Sequence, residues 1–177
     1  EQVVRLKGGD PFIFGRGGEE VEHLRAEGIE VEVVNGITSG LAGLTSLGAP
    51  LTHRDHAHGV VFVTGHAKPG DAGTDWVQLA HTARQAKLTL VVYMGVSSLH
   101  NIQSGLLQGL PAHTPVAIVQ HASLPQQRQA LTTLGALGET LAREGLGSPS
   151  IIVVGDVVQG ARAWQAQGAQ AHQRQAA

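Results

Sequence analysis

The residues best suited to chemistry gather in a glycine-rich segment, residues 7–18, which carries Asp10 and Arg16 and runs into Glu19. An apolar run precedes the segment and a helix-like stretch follows it, which is the usual place for a ligand in α/β sheets. Glycines let backbone N–H groups approach a ligand closely. The spacing is neither a Walker A loop nor G-x-G-x-x-G, and an acid after two glycines suits a hydroxyl or ammonium group better than a phosphate. An ordinary glycine turn is the alternative, but paired acids beside an arginine favour a binding site.

A second polar segment, residues 50–58, reads P-L-T-H-R-D-H-A-H. Its histidines have an H-x-x-H-x-H spacing that metal ligands also show. A solvated loop before a strand explains the same pattern, and we predict no metal. Arg54 is a fixed cation beside titratable imidazoles, and such a group is suited to hold carboxylates.

Alternating strands and helices must position these residues, and their order predicts an α/β fold. Apolar runs predict strands over residues 3–6, 29–34, 60–63, 88–93, 116–119, 128–132 and 151–154. Helical periodicity and capping residues predict helices over residues 19–26, 37–47, 76–85, 99–108 and 134–144. Met94 follows the predicted strand 88–93, where a methionine either packs in the core or lines a pocket.

Composition excludes several classes of protein. The 177 residues are 42% hydrophobic, enough for a core, so a disordered chain is excluded as the main interpretation. A net charge of −2 and 3% aromatic residues argue against a nucleic-acid partner. The sequence has no cysteine, which excludes disulfides, thiolate metal sites and a cysteine nucleophile. No apolar run approaches the ~18 residues of a membrane span, so we predict no membrane partner and a cytoplasmic location.

The Asn35-Gly36 turn signal marks a predicted domain boundary. We predict that residues 1–36 are the C-terminal part of an N-terminal α/β domain and that residues 37–160 form a complete C-terminal α/β domain. Residues 161–177, rich in alanine and glutamine, are predicted to be a disordered tail. Because two strands and one helix are too small to fold alone, we expect the N-terminal part of a longer protein to precede Glu1.

Residues 4–20, V-R-L-K-G-G-D-P-F-I-F-G-R-G-G-E-E, resemble the tetrapyrrole methylase family, and in particular the signature of its members that methylate uroporphyrinogen III. Supporting matches occur at residues 34–39 (V-N-G-I-T-S), 50–55 (P-L-T-H-R-D), 63–66 (V-T-G-H), 93–95 (Y-M-G), 115–119 (P-V-A-I-V) and 148–152 (S-P-S-I-I). The resemblance covers about residues 3–160. The first and third of these seven stretches are the most specific.

The resemblance implies a two-domain α/β homodimer, with a mixed sheet in the C-terminal domain and S-adenosylmethionine in the cleft between domains. It implies C-methylation of uroporphyrinogen III to precorrin-2, by way of precorrin-1, for siroheme or cobalamin biosynthesis. S-adenosylhomocysteine would be the second product, and no metal would be needed. Two alternatives stay open: another precorrin methyltransferase of the same family, or an inactive truncated fragment that binds ligand or dimerises.

Carried over residue by residue, the resemblance implies a donor pocket formed by Gly8, Gly9, Asp10, Ile13, Thr38, Ser39, Met94, Ala122 and Ser150. It implies that Arg16, Glu19 and Arg54 serve tetrapyrrole binding and catalysis. This sequence departs from the family pattern in two places: Ser39 stands where alanine is frequent, and residues 120–123 read Q-H-A-S in place of an acid-Asn-Gly-Thr pattern. The family's G-x-G-P-G-D loop does not occur in this sequence.

Overall fold

The computed structural model describes residues 1–68 and 70–161, and its centre is a five-stranded sheet. The strands are β1 (Gly59–Thr64), β2 (Leu88–Tyr93), β3 (Pro115–Gln120), β4 (Arg128–Thr133) and β5 (Ser150–Val154). They lie in the order β1-β2-β5-β3-β4. β1 is parallel to β2, whereas the other three neighbouring pairs are antiparallel. The α/β fold and its mixed sheet are therefore confirmed.

Five helices accompany the sheet: α1 (Gly17–Ala26), α2 (Ser39–Ser46), α3 (Trp76–Ala86), α4 (Leu99–Leu106) and α5 (Leu137–Arg143). α3 begins after Asp75, whose carboxylate accepts a 2.9 Å hydrogen bond from the backbone N–H of Gln78. This cap satisfies a donor that has no partner inside the helix. Residues 158–161 are also helical. No helix in the described ranges is long and apolar enough to cross a bilayer.

Both faces of the sheet are covered, so the central strands are apolar at most positions instead of alternating. On one face, Leu90 and Val92 belong to a core cluster with residues of α3, α4 and α5. On the other face, Val91 and Tyr93 belong to a cluster with α2 and residues 157–161. The result is a three-layer α/β/α arrangement built on residues 39–161.

Two predicted strands, over residues 3–6 and 29–34, are wrong. The structure assigns no strand to either range, and the side chains of Val3, Val4 and Val34 are 74–86% exposed. An apolar or alternating pattern favours extended backbone, but a strand needs a neighbour to receive its hydrogen bonds. No described segment supplies that neighbour. The predicted tail, residues 161–177, lies outside the described residues except for Ala161.

The sheet topology brings distant parts of the sequence to one edge. β1, β2 and β3 run in the same direction, and β4 and β5 run against them. The register pairs Tyr93 with Ile151, and it pairs Gln120 with both Ser150 and Arg128. We call this end, where β1, β2 and β3 finish, the carboxyl edge, and the opposite end the amino edge.

Candidate functional site

Three of the residues expected to hold the methyl donor lie at the carboxyl edge. Met94 directly follows β2, Ala122 follows β3 by two residues, and Ser150 opens β5 opposite Gln120. They come from three different parts of the sequence, and the strand order alone brings them to one end of the sheet. In open α/β sheets, ligands bind in the crevice outside this end of the strands.

Tyr93 fastens the start of α2 to the same edge. Its hydroxyl lies 2.7 Å from the hydroxyl of Thr38 and accepts a 2.9 Å hydrogen bond from the backbone N–H of Gly40. All three residues are buried. A Cβ on residue 40 would lie 2.3 Å from the tyrosine hydroxyl, so the close approach requires glycine there. Thr38 and Ser39 are thereby held beside the end of β2.

Asp10 joins the glycine-rich loop to the Asn35-Gly36 turn. One carboxylate oxygen accepts a 2.8 Å hydrogen bond from the backbone N–H of Phe12, and the other accepts a 3.1 Å bond from that of Gly36. A Cβ on residue 36 would lie 2.1 Å from the carbonyl oxygen of Gly9, so the two segments are in backbone contact. Gly9 and Asp10 therefore lie against the segment that Tyr93 ties to the carboxyl edge.

Some of the expected donor residues are open to a ligand. A Cβ on Gly8 would meet nothing within 4 Å, which leaves this stretch of backbone free. Met94 has a left-handed backbone, with φ at 53°, and is 49% exposed. Ile37, next to Thr38, is 73% exposed. Open backbone beside exposed apolar side chains suits a ligand with both polar and apolar parts.

The other expected donor residues are partly committed to the fold. Ile13 and Ala122 pack against the core cluster that contains Tyr93. The hydroxyl of Ser150 donates a hydrogen bond to the carbonyl of Gly147. These residues shape the carboxyl edge, but they offer a ligand few free polar groups.

Arg16 and Glu19 form an ion pair at the start of α1. The guanidinium donates to one carboxylate oxygen of Glu19 from Nε at 2.8 Å and from Nη2 at 2.5 Å. Hydrogen bonding to Arg16 lowers the pKa of the Glu19 carboxyl below its ordinary 4.5. The same pairing raises the pKa of Arg16. Glu19 is therefore a stable carboxylate near neutral pH and is suited to attract positive charge or accept a proton.

A groove of about 390 Å³ runs beside this ion pair, and its lining is strongly charged. The lining residues are Arg5, Lys7, Gly15, Arg16, Glu19 and Glu20. Glu20 is 2.7 Å from the Lys7 ammonium and 3.4 Å from the Arg5 guanidinium. Hydrogen bonding to Lys7, with the nearby charge of Arg5, lowers the pKa of the Glu20 carboxyl. Three cations thus line one groove, and two carboxylates hold them in place.

Arg54 stands apart from that groove. It lies in an exposed turn that is closed by two reciprocal 2.9 Å backbone hydrogen bonds between His53 and Ala57. Within the described residues it makes no hydrogen bond or ion pair, and it does not line the groove. The structure therefore brings Arg16 and Glu19 together but does not bring Arg54 into contact with them.

In the turn that contains Arg54, the rings of His53 and His56 are 4.7 Å apart. The described residues include no group of three or more potential metal ligands.

Tyr93 was not among the predicted site residues. A signal was present, since Tyr93 is the sole tyrosine in the sequence and ends a mostly apolar strand. A buried tyrosine hydroxyl usually finds a hydrogen-bond partner. The identity of its partners, 53 and 55 residues away along the chain, was not visible in the sequence.

The relatives found by comparison with known proteins agree with one another. A sequence profile of the family described as Tetrapyrrole (Corrin/Porphyrin) Methylases matches residues 1–138. A siroheme synthase of Azotobacter vinelandii is 49% identical over 159 residues, which are 89% of this chain and 33% of that protein. A uroporphyrinogen-III C-methyltransferase of Pseudomonas aeruginosa is 50% identical over 156 residues, which are 88% of this chain and 62% of that protein.

A solved structure shares the fold. The uroporphyrin-III C-methyl transferase of Thermus thermophilus, complexed with S-adenosylhomocysteine, superposes with a TM-score of 0.75 at 41% identity. The match covers 89% of this chain and 67% of that one. Against the siroheme synthase, by contrast, the chain spans about a third of the relative's length.

Proposed function

The chain belongs to the tetrapyrrole (corrin/porphyrin) methylase family, and on that premise we propose that its protein methylates uroporphyrinogen III at carbon, with S-adenosylmethionine as the donor. One observation carries the proposal most directly: the carboxyl edge gathers Met94, Ala122 and Ser150 beside the segment that holds the glycine-rich loop. Support also comes from the Thermus relative, which is 41% identical to this chain and is complexed with S-adenosylhomocysteine.

The donor supplies a methyl group on a positively charged sulfur. The free backbone at Gly8 and the exposed side chain of Met94 fit a molecule with polar and apolar parts. Each oxygen of Asp10 already accepts one backbone N–H, yet a carboxylate oxygen has room for a second donor. Asp10 can therefore bind a hydroxyl or ammonium group while it holds the loop. Thr38 and Ser39 complete this side of the site.

The groove at the start of α1 fits a substrate that bears several carboxylates. Arg5, Lys7 and Arg16 offer positive charge, and arginine binds carboxylates with two parallel hydrogen bonds. Arg54 has no counter-ion among the described residues, so it is available to a further carboxylate. Glu19 stays ionised beside Arg16, so it stabilises positive charge on the ring or accepts a proton, and does not donate one.

The proposal has finer parts, which rest on the family resemblance. The product is precorrin-2, formed through precorrin-1 and used for siroheme or cobalamin. The active form is a cytoplasmic homodimer. Residues 1–36 belong to one domain and residues 37–160 to another. A different precorrin substrate is the second candidate, because the family as a whole is described by both corrin and porphyrin substrates.

Mass spectrometry tests the proposal. The protein is incubated anaerobically with uroporphyrinogen III and S-adenosylmethionine, and methyl groups on the tetrapyrrole are counted. Two added methyls are expected. Arg54→Ala should reduce methyl transfer and leave S-adenosylhomocysteine affinity unchanged, whereas Arg25→Ala, another exposed arginine without an ion pair in the described residues, should change neither. Donor binding without methylation of uroporphyrinogen III would favour the other precorrins. If the unmodified protein neither binds the donor nor methylates the tetrapyrrole, the assignment is contradicted.

A further inference from the structure

A glutamine amide joins two segments that border the carboxyl edge. Gln127 lies directly before β4, and its side-chain Nε2 donates a 2.9 Å hydrogen bond to the hydroxyl of Ser46, 81 residues away. Its Oε1 accepts a 2.8 Å hydrogen bond from the backbone N–H of Ser123, in the loop that follows β3. Ser46 is the last residue of α2. One side chain therefore ties the end of α2 to the loop of residues 121–127.

The hydrogen bonds around this amide are mutually consistent. Nε2 carries two hydrogens, and the second is donated to Oε1 of Gln129 at 3.0 Å. Ser46 accepts from Gln127 and donates its own hydrogen to the carbonyl of Gly43 at 2.7 Å. Both hydrogens and the carbonyl oxygen of the Gln127 amide are thus in use. The half-buried side chain has one fixed orientation, and it can hold the segments that it joins.

The loop that Gln127 holds has a backbone that needs outside support. His121 and Ser123 have left-handed φ, at 51° and 67°, which is uncommon for residues other than glycine. Such a conformation persists where the surrounding structure imposes it. The N–H of His121 donates to the carbonyl of Pro149, and the N–H of Ser123 donates to Gln127. Ala122 lies between them, so these two bonds fix its place at the carboxyl edge.

The helix α2 is thereby fastened at both ends. Tyr93 binds its start, and Gln127 binds its last residue. Between these anchors the helix lies directly against the loop, because a Cβ on Gly43 would be 3.7 Å from the Cβ of Ala122. Ser39 opens the helix. The distance from Ser39 to Ala122, across the candidate donor site, therefore depends on both anchors.

We propose that Gln127 is a positioning residue for the methyl donor: through the loop and the helix, it keeps Ala122 and Ser39 at the spacing that the donor requires. The inference rests on the proposed function, because it takes these two residues to border the donor. Without the Gln127 hydrogen bonds, the loop and the end of α2 keep their core contacts but lose their connection to each other. Donor affinity should then fall, since binding must restore a spacing that is no longer set in advance.

Calorimetric titration of the full chain with S-adenosylhomocysteine tests the proposal. Gln127→Met keeps the length of the side chain and removes its hydrogen bonds, and it should weaken binding by about fivefold or more, the equivalent of one hydrogen bond. Ser46→Ala removes only the α2 end of the connection and should weaken binding in the same direction. In a methylation assay, Gln127→Met should raise the KM for S-adenosylmethionine and leave the KM for uroporphyrinogen III within about twofold.

Gln103→Met is the matched control. Gln103 is another half-buried glutamine, and its Nε2 donates to the carbonyls of Leu134 and Gly135 at 2.8 and 3.0 Å. Those two residues follow β4 at the amino edge, so the control removes a similar connection at the end of the sheet away from the donor site. It should lower the thermal unfolding midpoint, as Gln127→Met does, yet leave S-adenosylhomocysteine affinity within about twofold, since distant sites act independently.

The outcomes separate this inference from the proposed function. Equal affinity of Gln127→Met and the unmodified chain would overturn the inference and leave the proposed function standing. Equal weakening by Gln127→Met and Gln103→Met would show only a general effect of lost stability and would also overturn the inference. If the unmodified chain does not bind S-adenosylhomocysteine, both fail. Should Gln127→Met not fold, Ser46→Ala changes an exposed residue and decides in its place, and unchanged affinity there would overturn the inference.

Discussion

Replacing Tyr93 with phenylalanine removes a single oxygen on which the geometry of the candidate donor site depends. That oxygen connects the end of β2 to Thr38, at 2.7 Å, and to the backbone of Gly40, at 2.9 Å. The aromatic packing should survive, since the rings of Phe14 and Phe62 lie 4.7 and 6.1 Å from the Tyr93 ring and do not involve its hydroxyl. The variant therefore isolates the hydrogen bonds.

The expected loss of stability follows from the groups left behind. The Gly40 N–H and the Thr38 hydroxyl are both buried, and neither has another partner among the described residues. An unsatisfied buried polar group costs about 1–3 kcal/mol. Since the Thr38 hydroxyl can turn away, the total destabilisation should be about 2–4 kcal/mol. Affinity for S-adenosylhomocysteine should fall by about tenfold, because the segment with Thr38 and Ser39 is no longer fixed.

Urea unfolding followed by circular dichroism measures the first effect, and calorimetric titration measures the second. A double-mutant cycle with Thr38→Val separates the pair from its surroundings, and we expect a coupling energy of about 1 kcal/mol between the two hydroxyls. A loss of stability below about 0.5 kcal/mol together with additive single effects would refute the reasoning. So would unchanged donor affinity in a variant that is destabilised.

Three further variants test other parts of the structure. Asp10→Asn replaces one carboxylate oxygen by an amide NH₂, which then faces the backbone N–H of Phe12 or of Gly36. Urea unfolding should therefore show that the free energy of unfolding falls by about 1 kcal/mol. An unchanged unfolding midpoint would contradict this. Thr89→Val replaces a buried hydroxyl that has no partner in the described chain, so stability should rise by about 1 kcal/mol, and a fall would show that the hydroxyl is satisfied. Arg16→Gln should raise the pKa of Glu19 toward 4.5 in an NMR titration, because the pairing that lowers it is removed. In the unmodified chain that ion pair is complete above about pH 4.5 and is lost as the pH falls through the lower pKa of the folded state; identical titration of the two proteins would contradict the pairing.

The core strands were predictable because both faces of the sheet are covered. Burial on two sides requires continuous apolar runs, and the predicted strand 88–93 has the same bounds as β2. Residues 3–6 and 29–34 show the limit of the same reasoning. Their side chains favour extended backbone, yet pairing depends on a neighbouring strand, which no local pattern encodes.

The glycine-rich loop of the candidate site was predictable from the sequence, but its contacts with distant segments were not. Glycines, an acid and an arginine in residues 7–18 marked the segment, and its contacts with Gly36 and Tyr93 then set it beside the end of β2. The structural use of Asp10, whose carboxylate holds Gly36 from 26 residues away, was invisible in the sequence. Arg16 and Glu19, by contrast, are three residues apart, a spacing that favours an ion pair at the start of a helix. Contacts between segments distant in the sequence are decided by folding.

The central claim is that the carboxyl edge and the loop of residues 8–10 together hold the methyl donor. A crystal structure of the chain with S-adenosylhomocysteine bound tests it most directly. The ligand is expected against Gly8, Asp10 and Met94, with Thr38 at hydrogen-bond distance or in van der Waals contact. A ligand bound elsewhere on the chain, or a carboxyl edge that stays empty at saturating concentration, would contradict the account.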